Sequence, residues 1–196
     1  MASLKLTGDT SGVITVSAPA VAGTNTITLP AETGTVALDT TGSILQVVSV
    51  QPDTGLVSFT STSYAEVDTD LRVAITPKAS DSTLIVTCNF LFGGNNGSQM
   101  TQMKLYDITN TTDVNTSAAG SRTVGNASVR FMEHDANDGA MINLQAQTTS
   151  GSTVARTYGM YAKLESAATK YFFSNTSNTA ALGYAKPAIT VMEVSA

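Results

Sequence analysis

Apolar residues reach this chain in short β-branched runs, each stopped by a cluster of Gly, Pro, Asn, Asp or Ser. Val13-Ile14-Thr15-Val16, Leu71-Arg72-Val73-Ala74-Ile75-Thr76 and Ile189-Thr190-Val191-Met192-Glu193-Val194 are typical. No stretch repeats apolar residues at the i, i+3, i+4, i+7 spacing of an amphipathic helix. Such a chain buries its apolar residues by pairing strands into sheets and packing sheet on sheet. Composition pushes the same way. With 31 Thr, 20 Ser and only 13% charged residues among 196, helices are weakened and strands and tight turns favoured. Ala167-Ala168-Thr169-Lys170 alone is expected to make one helical turn.

The spacing of the runs predicts two pieces. Residues 1–42 contain no aromatic residue, and their glycines, Gly12, Gly23 and Gly34, fall eleven apart. Between them lie Val13-Ile14-Thr15-Val16, Thr26-Ile27-Thr28-Leu29 and Thr35-Val36-Ala37-Leu38. These read as three or four brief strands with no side chains large enough for a private core, so the piece needs a partner to be stable. Val13, Ile14, Val16, Ile27, Leu29, Val36 and Leu38 are the candidate partner-binding residues. Asp39-Thr40-Thr41-Gly42 reads as a joint.

Residues 43–196 predict an antiparallel, jelly-roll-like β-sandwich of eight or nine strands, so the chain is all-β with a small N-terminal β arm. Strands are expected at 44–50, 56–59, 71–76, 83–92, 100–108, 124–134, 140–147, 154–164 and 188–194, with Gln51–Gly55 as the turn after the first. Thr83 to Phe92 has almost no polar alternation, which predicts a central strand covered on both faces. Gly93–Gly97 and Thr109–Gly120 read as loops, and Asp135-Ala136-Asn137-Asp138-Gly139 as a hairpin turn. Tyr171-Phe172-Phe173 is a short apolar knot.

Chemistry is poorly provided for. One His and one Cys exclude a Cys/His zinc site and a disulfide scaffold. No Gly-x-Ser-x-Gly and no phosphate-cradling glycine loop occurs. Cys88 lies in an apolar run and reads as a buried, inert thiol. Glu133, His134, Asp135 and Asp138 form the densest set of ligand-type residues, and a solvated hairpin tip is the stronger reading of them than an ion site. Glu66, Asp68 and Asp70 would share a strand face if extended, as an acid–base pair on a glycan requires. Tyr158, Tyr161, Tyr171 and Tyr184, with Asn175 and Asn178, would offer a sugar-stacking surface if brought together. No catalytic, metal or cofactor-binding residue is assigned, and no cofactor is expected. A net charge of −5 with scattered basic residues argues against nucleic acid as a partner. The absence of any long apolar stretch argues against a membrane. The polar turn at Thr7-Gly8-Asp9 leaves no apolar core for a secretion signal, which places the product in the cytosol.

Leu4-Lys5-Leu6-Thr7-Gly8-Asp9-Thr10-Ser11-Gly12, continuing through Ala18–Pro30 and Thr33-Gly34-Thr35-Val36, resembles a segment of tailed-bacteriophage virion surface proteins. Ile44–Val48, Ile75-Thr76-Pro77 and Ile189–Val194 resemble the β-rich modules of phage fibres and decorations. The resemblance implies a non-enzymatic virion protein assembled in the host cytoplasm. A homotrimeric capsid decoration (cement) protein is expected, with the major capsid protein or another virion protein as partner. A short tail fibre or receptor-binding protein recognising a host glycan is the alternative, its contacts falling in the loops at 93–99, 109–121 and 174–186.

Overall fold

The computed structural model describes residues 3–7, 11–17, 41–94, 99–114, 125–129, 139–174 and 185–196. Two compact units make up the chain, Met1–Leu38 and Asp39–Ala196. In the first, β1 (Ser3–Thr7) and β2 (Val13–Ser17) form an antiparallel hairpin that sets Leu4 opposite Val16 and Leu6 opposite Ile14. Gly12, just before β2, has φ of 87°, a left-handed conformation that glycine enters without a Cβ clash. β2 falls on an expected run, and β1 adds a strand to it. The strands expected at 26–29 and 35–38 lie outside the described residues.

In the second unit the strands run β3 (Ile44–Val50), β4 (Val57–Phe59), β5 (Ala65–Glu66), β6 (Val73–Ile75), β7 (Thr83–Gly94) and β8 (Thr101–Asp107). They continue as β9 (Thr112–Asp113), β10 (Ala127–Val129), β11 (Gly139–Thr149), β12 (Arg156–Leu164), β13 (Lys170–Phe172) and β14 (Ala188–Val194). A single 3₁₀ turn, Thr69–Leu71, precedes β6. All strand pairs are antiparallel. One sheet runs β3-β14-β7-β11, with β13 and then β4 continuing from the far end of β7. The other runs β6-β12-β8-β10, with β5 beside β6 along β12 and β9 beside β10 along β8. The chain passes between sheets from β4 to β5, β6 to β7, β7 to β8, β10 to β11, β11 to β12 and β12 to β13. This is the jelly roll, two Greek keys folded face to face, and the all-β sandwich expected from the sequence is the fold observed.

One core lies between the sheets. Leu84, Val86, Cys88, Phe90 and Phe92 of β7, with Leu144, Ile189 and Val191 beside them, face Met103, Leu105, Tyr158, Met160, Ala162 and Leu164 of the opposite sheet. The Cys88 sulfur sits 4.0 Å from that of Met160, across the seam. At one end the rings of Phe90, Phe92 and Phe59 gather round Phe172 at centroid distances of 5.0–5.7 Å. The apolar knot expected at 171–173 is therefore the aromatic end of the core.

Several expectations are corrected. β7 is central in its sheet but covered on one face only: Leu84, Val86, Cys88 and Phe90 are buried, whereas Thr83, Ile85 and Thr87 are half-buried and Asn89 is exposed. Gly93 and Gly94 belong to β7 and pair with β13, so the loop begins later than expected. β3 and β4, joined through Gln51–Gly55, are not ladder partners but lie in different parts of one sheet. β10 and β11 pair in opposite sheets, so the strands flanking Asp135–Gly139 are not a simple hairpin over their described residues, and the turn itself lies outside them. Ala167–Lys170 makes no helical turn; Lys170 opens β13, where pairing with Phe59 and Gly94 overrides a weak local helix preference.

Candidate docking surfaces

The arm hairpin places aliphatic residues in water. Leu6, Val13 and Val16 are 53%, 58% and 51% exposed. Strand alternation and the register put Leu6 and Val16 on one face of the hairpin and Val13 on the other, beside Thr7. Ile14 lies on β2 between Val13 and Val16. Ile27, Leu29, Val36 and Leu38, the remaining candidate partner-binding residues, lie outside the described residues. Leu6 belongs to this surface beside the candidate residues, and its signal in the sequence is the alternation Leu4-Lys5-Leu6.

The outer face of the β6-β12-β8-β10 sheet carries charge and aromatic rings together. The Tyr106 and Tyr161 rings lie 4.5 Å apart between centroids. The Lys104 ammonium stands 4.0 Å from the Tyr64 ring centroid and 4.9 Å from that of Tyr106, and it is also paired to Asp113. Burial raises the Tyr64 phenol, and the Asp113 charge adds to the effect. Burial likewise raises Tyr161, with Glu66 and Tyr106 adding to it and Arg72 opposing. Glu66 takes a two-pronged bond from Arg72, at 2.6 and 2.5 Å, and that bond holds the guanidinium above its ordinary value. Each charge here answers another within the unit, and the rings are covered by ammonium groups and by each other. A sugar ring would find these stacking faces already occupied.

The other candidates are dispersed. Glu66 ends β5, Asp68 caps the 3₁₀ turn by accepting from the Asp70 amide at 2.9 Å, and Asp70 sits inside that turn. The three carboxylates therefore share no strand face. Tyr158 is buried, its phenol pushed up to about 12, chiefly by burial. Tyr161 and Tyr171 lie on different sheets, while Tyr184, Asn175 and Asn178 lie outside the described residues, so no common sugar surface forms among those described. Glu133, His134, Asp135 and Asp138 also lie outside them. Burial pushes the Cys88 thiol up to about 12, which suppresses the thiolate a nucleophile needs. Among the described residues no group of three His, Cys, Asp or Glu side chains is placed to hold a metal.

No family model matches the chain, and no curated protein matches it.

One buried carboxylate has a structural task. Glu193 on β14 is fully buried among neutral donors. It accepts from the Lys78 amide at 2.8 Å, the Ala79 amide at 3.1 Å, the Ser82 hydroxyl at 2.7 Å and the Gln46 side-chain amide at 2.6 Å. Burial alone would raise its carboxyl, but the bonds from Ser82, Gln46, Ala79 and Lys78 together hold it below its ordinary value. The carboxylate thus fastens the β6–β7 crossover to the C-terminal strand. Its signal in the sequence was a Glu at the inward position of Ile189-x-Val191-x-Glu193.

Proposed function

We propose that this chain is a non-enzymatic structural protein of a tailed-bacteriophage particle, a homotrimeric capsid decoration protein whose N-terminal arm grips the major capsid protein. The observation that carries this reading is the hairpin β1–β2 with Leu6, Val13 and Val16 left in water. A two-stranded hairpin is marginal in water by itself. Covering its aliphatic side chains with another polypeptide would contribute at about 25 cal/mol per Å² of apolar surface. Among the described residues β1 and β2 pair only with each other, which leaves their outer edges to a further strand. The resemblance of residues 4–36 to phage virion segments points to the particle as the source of that polypeptide. The sandwich supports the same role: its Cys88 is held as a thiol, and Arg72 with Glu66, Lys104 with Asp113 and Arg156 with Asp107 pair within it.

The test compares the full chain with a variant lacking residues 1–38 in co-sedimentation with undecorated capsids. The second unit has its own core, so the truncated chain is expected to give an unchanged β-sheet circular dichroism spectrum while losing capsid binding. Undiminished binding by the truncated chain overturns the proposal. Adsorption of the full chain to host polysaccharide in place of capsids would move it to the tail.

A further inference from the structure

Strands β3, β14, β7 and β11 contain one charged residue between them, Glu193, and it points into the core. The outer face of these four strands therefore carries no charge, in a chain with 10 basic and 15 acidic residues. The register orders the face into rows. Val47, Met192, Ile85 and Gln147 lie side by side across the four strands. Next comes Ser49, Thr190, Thr87 and Gln145, then Asn89 beside Asn143, and then Leu91 beside Met141. Two rows with aliphatic residues thus bracket a band of hydroxyls and amides. Val47 and Met141 are 53% and 61% exposed, so the brackets are open to a partner.

We propose that this face packs against a second copy of the chain. Three observations select that occupant. Two chains of net charge −5 repel one another, and an uncharged sheet face is where identical surfaces meet without like charges opposed. The polar groups on it are amides and hydroxyls, which both donate and accept, so they can pair with their own kind; a lysine or an aspartate cannot. The size is also sufficient. Four strands about 4.8 Å apart and seven to twelve residues long at about 3.3 Å per residue present roughly 20 by 30 Å, or ~600 Å² before side-chain relief. That approaches the ~800 Å² each partner buries in a standard interface, and depletion of charge marks the centre of such interfaces.

Self-association through this face is part of the particle-component reading above and is measured on purified protein, with no capsid present. Sedimentation equilibrium of the full chain is expected to show a reversible oligomer. The pair Met141→Lys with Gln145→Lys, both at exposed positions, should weaken association at least tenfold with an unchanged circular dichroism spectrum. Ala74→Lys, exposed on the opposite sheet, should leave association as it was. A wild-type chain that is monomeric at every concentration reached overturns the proposal. So does a double variant that associates as tightly as wild type. Association that disappears on removing residues 1–38 yet survives the two lysines places the contact on the arm and also overturns it. Failure here leaves the arm's hold on capsids standing, and loss of that hold with self-association intact tells the reverse.

Discussion

β7–β11 and β8–β12 are both long antiparallel pairs that turn aliphatic and aromatic residues toward the same core, yet they meet the outside with different chemistry. On β8–β12 the outward residues include Lys104, Tyr106, Tyr161 and Lys163, tied to Asp113, Tyr64 and each other. On β7–β11 the outward residues include Ile85, Asn89, Leu91, Met141 and Gln145, and none on that face is charged. Inward alternation alone is enough to close a sandwich, so the outward set is left to be fixed by whatever lies beyond it. One face finds its partners within the chain. The other is made of groups suited to partners outside it.

The comparison breaks first if the interior is not common to both sheets. Phe172→Ala removes a ring packed against Phe59, Phe90 and Phe92 at the end of the core, and it should cost about 3–5 kcal/mol in urea denaturation. A much smaller loss would mean that this end is not packed as described. Glu193→Gln tests the one charged side chain of β3, β14, β7 and β11. It places an NH₂ group against donors and leaves a buried amide or hydroxyl unanswered, for a loss of about 1–3 kcal/mol. Because the folded carboxyl lies below its ordinary 4.5, its contribution is present in full above that pH and fades as pH falls through the lower folded value. Denaturation midpoints of wild type should therefore drop in that acid window by more than those of the Gln variant, and parallel profiles would remove Glu193 as the clasp. Arg72→Ala sharpens the picture of the charged face. Its exposed pair with Glu66 should move the midpoint least of all, by an amount that shrinks further as salt is added.

Strand positions were legible because alternation is local: Ile44–Val50 and Ala188–Val194 are strands over the residues their patterns mark. Pairing was less so. Nothing near Ile44 in the chain says that its strand will lie beside β14 rather than β4, because that choice depends on which faces bury together. Thr83–Phe92 was misjudged for a related reason: its outward positions hold Ile85 and Leu91, so an outer surface built from aliphatic residues reads as interior. β5 and β9, two residues each, are too short to show a period. The dispersal of Glu66, Asp68 and Asp70 follows from Asp68 capping the 3₁₀ turn, which breaks the extended spacing they were given. For the docking surfaces, Val13 and Val16 could be read off directly, whereas the cluster of Tyr64, Lys104, Tyr106 and Tyr161 is assembled across β8 and β12 from residues far apart in sequence.

β14 is an inner strand, seated between β3 and β7, and β3 opens the second unit. Until residues 188–194 leave the ribosome, both neighbours have a bare edge, and the first of them must wait for the rest of the unit to be made before it meets its mate. Loop closure over that distance is slow, and a waiting edge invites pairing with other nascent chains. The ordering of this unit's first strand is therefore set by the arrival of its last.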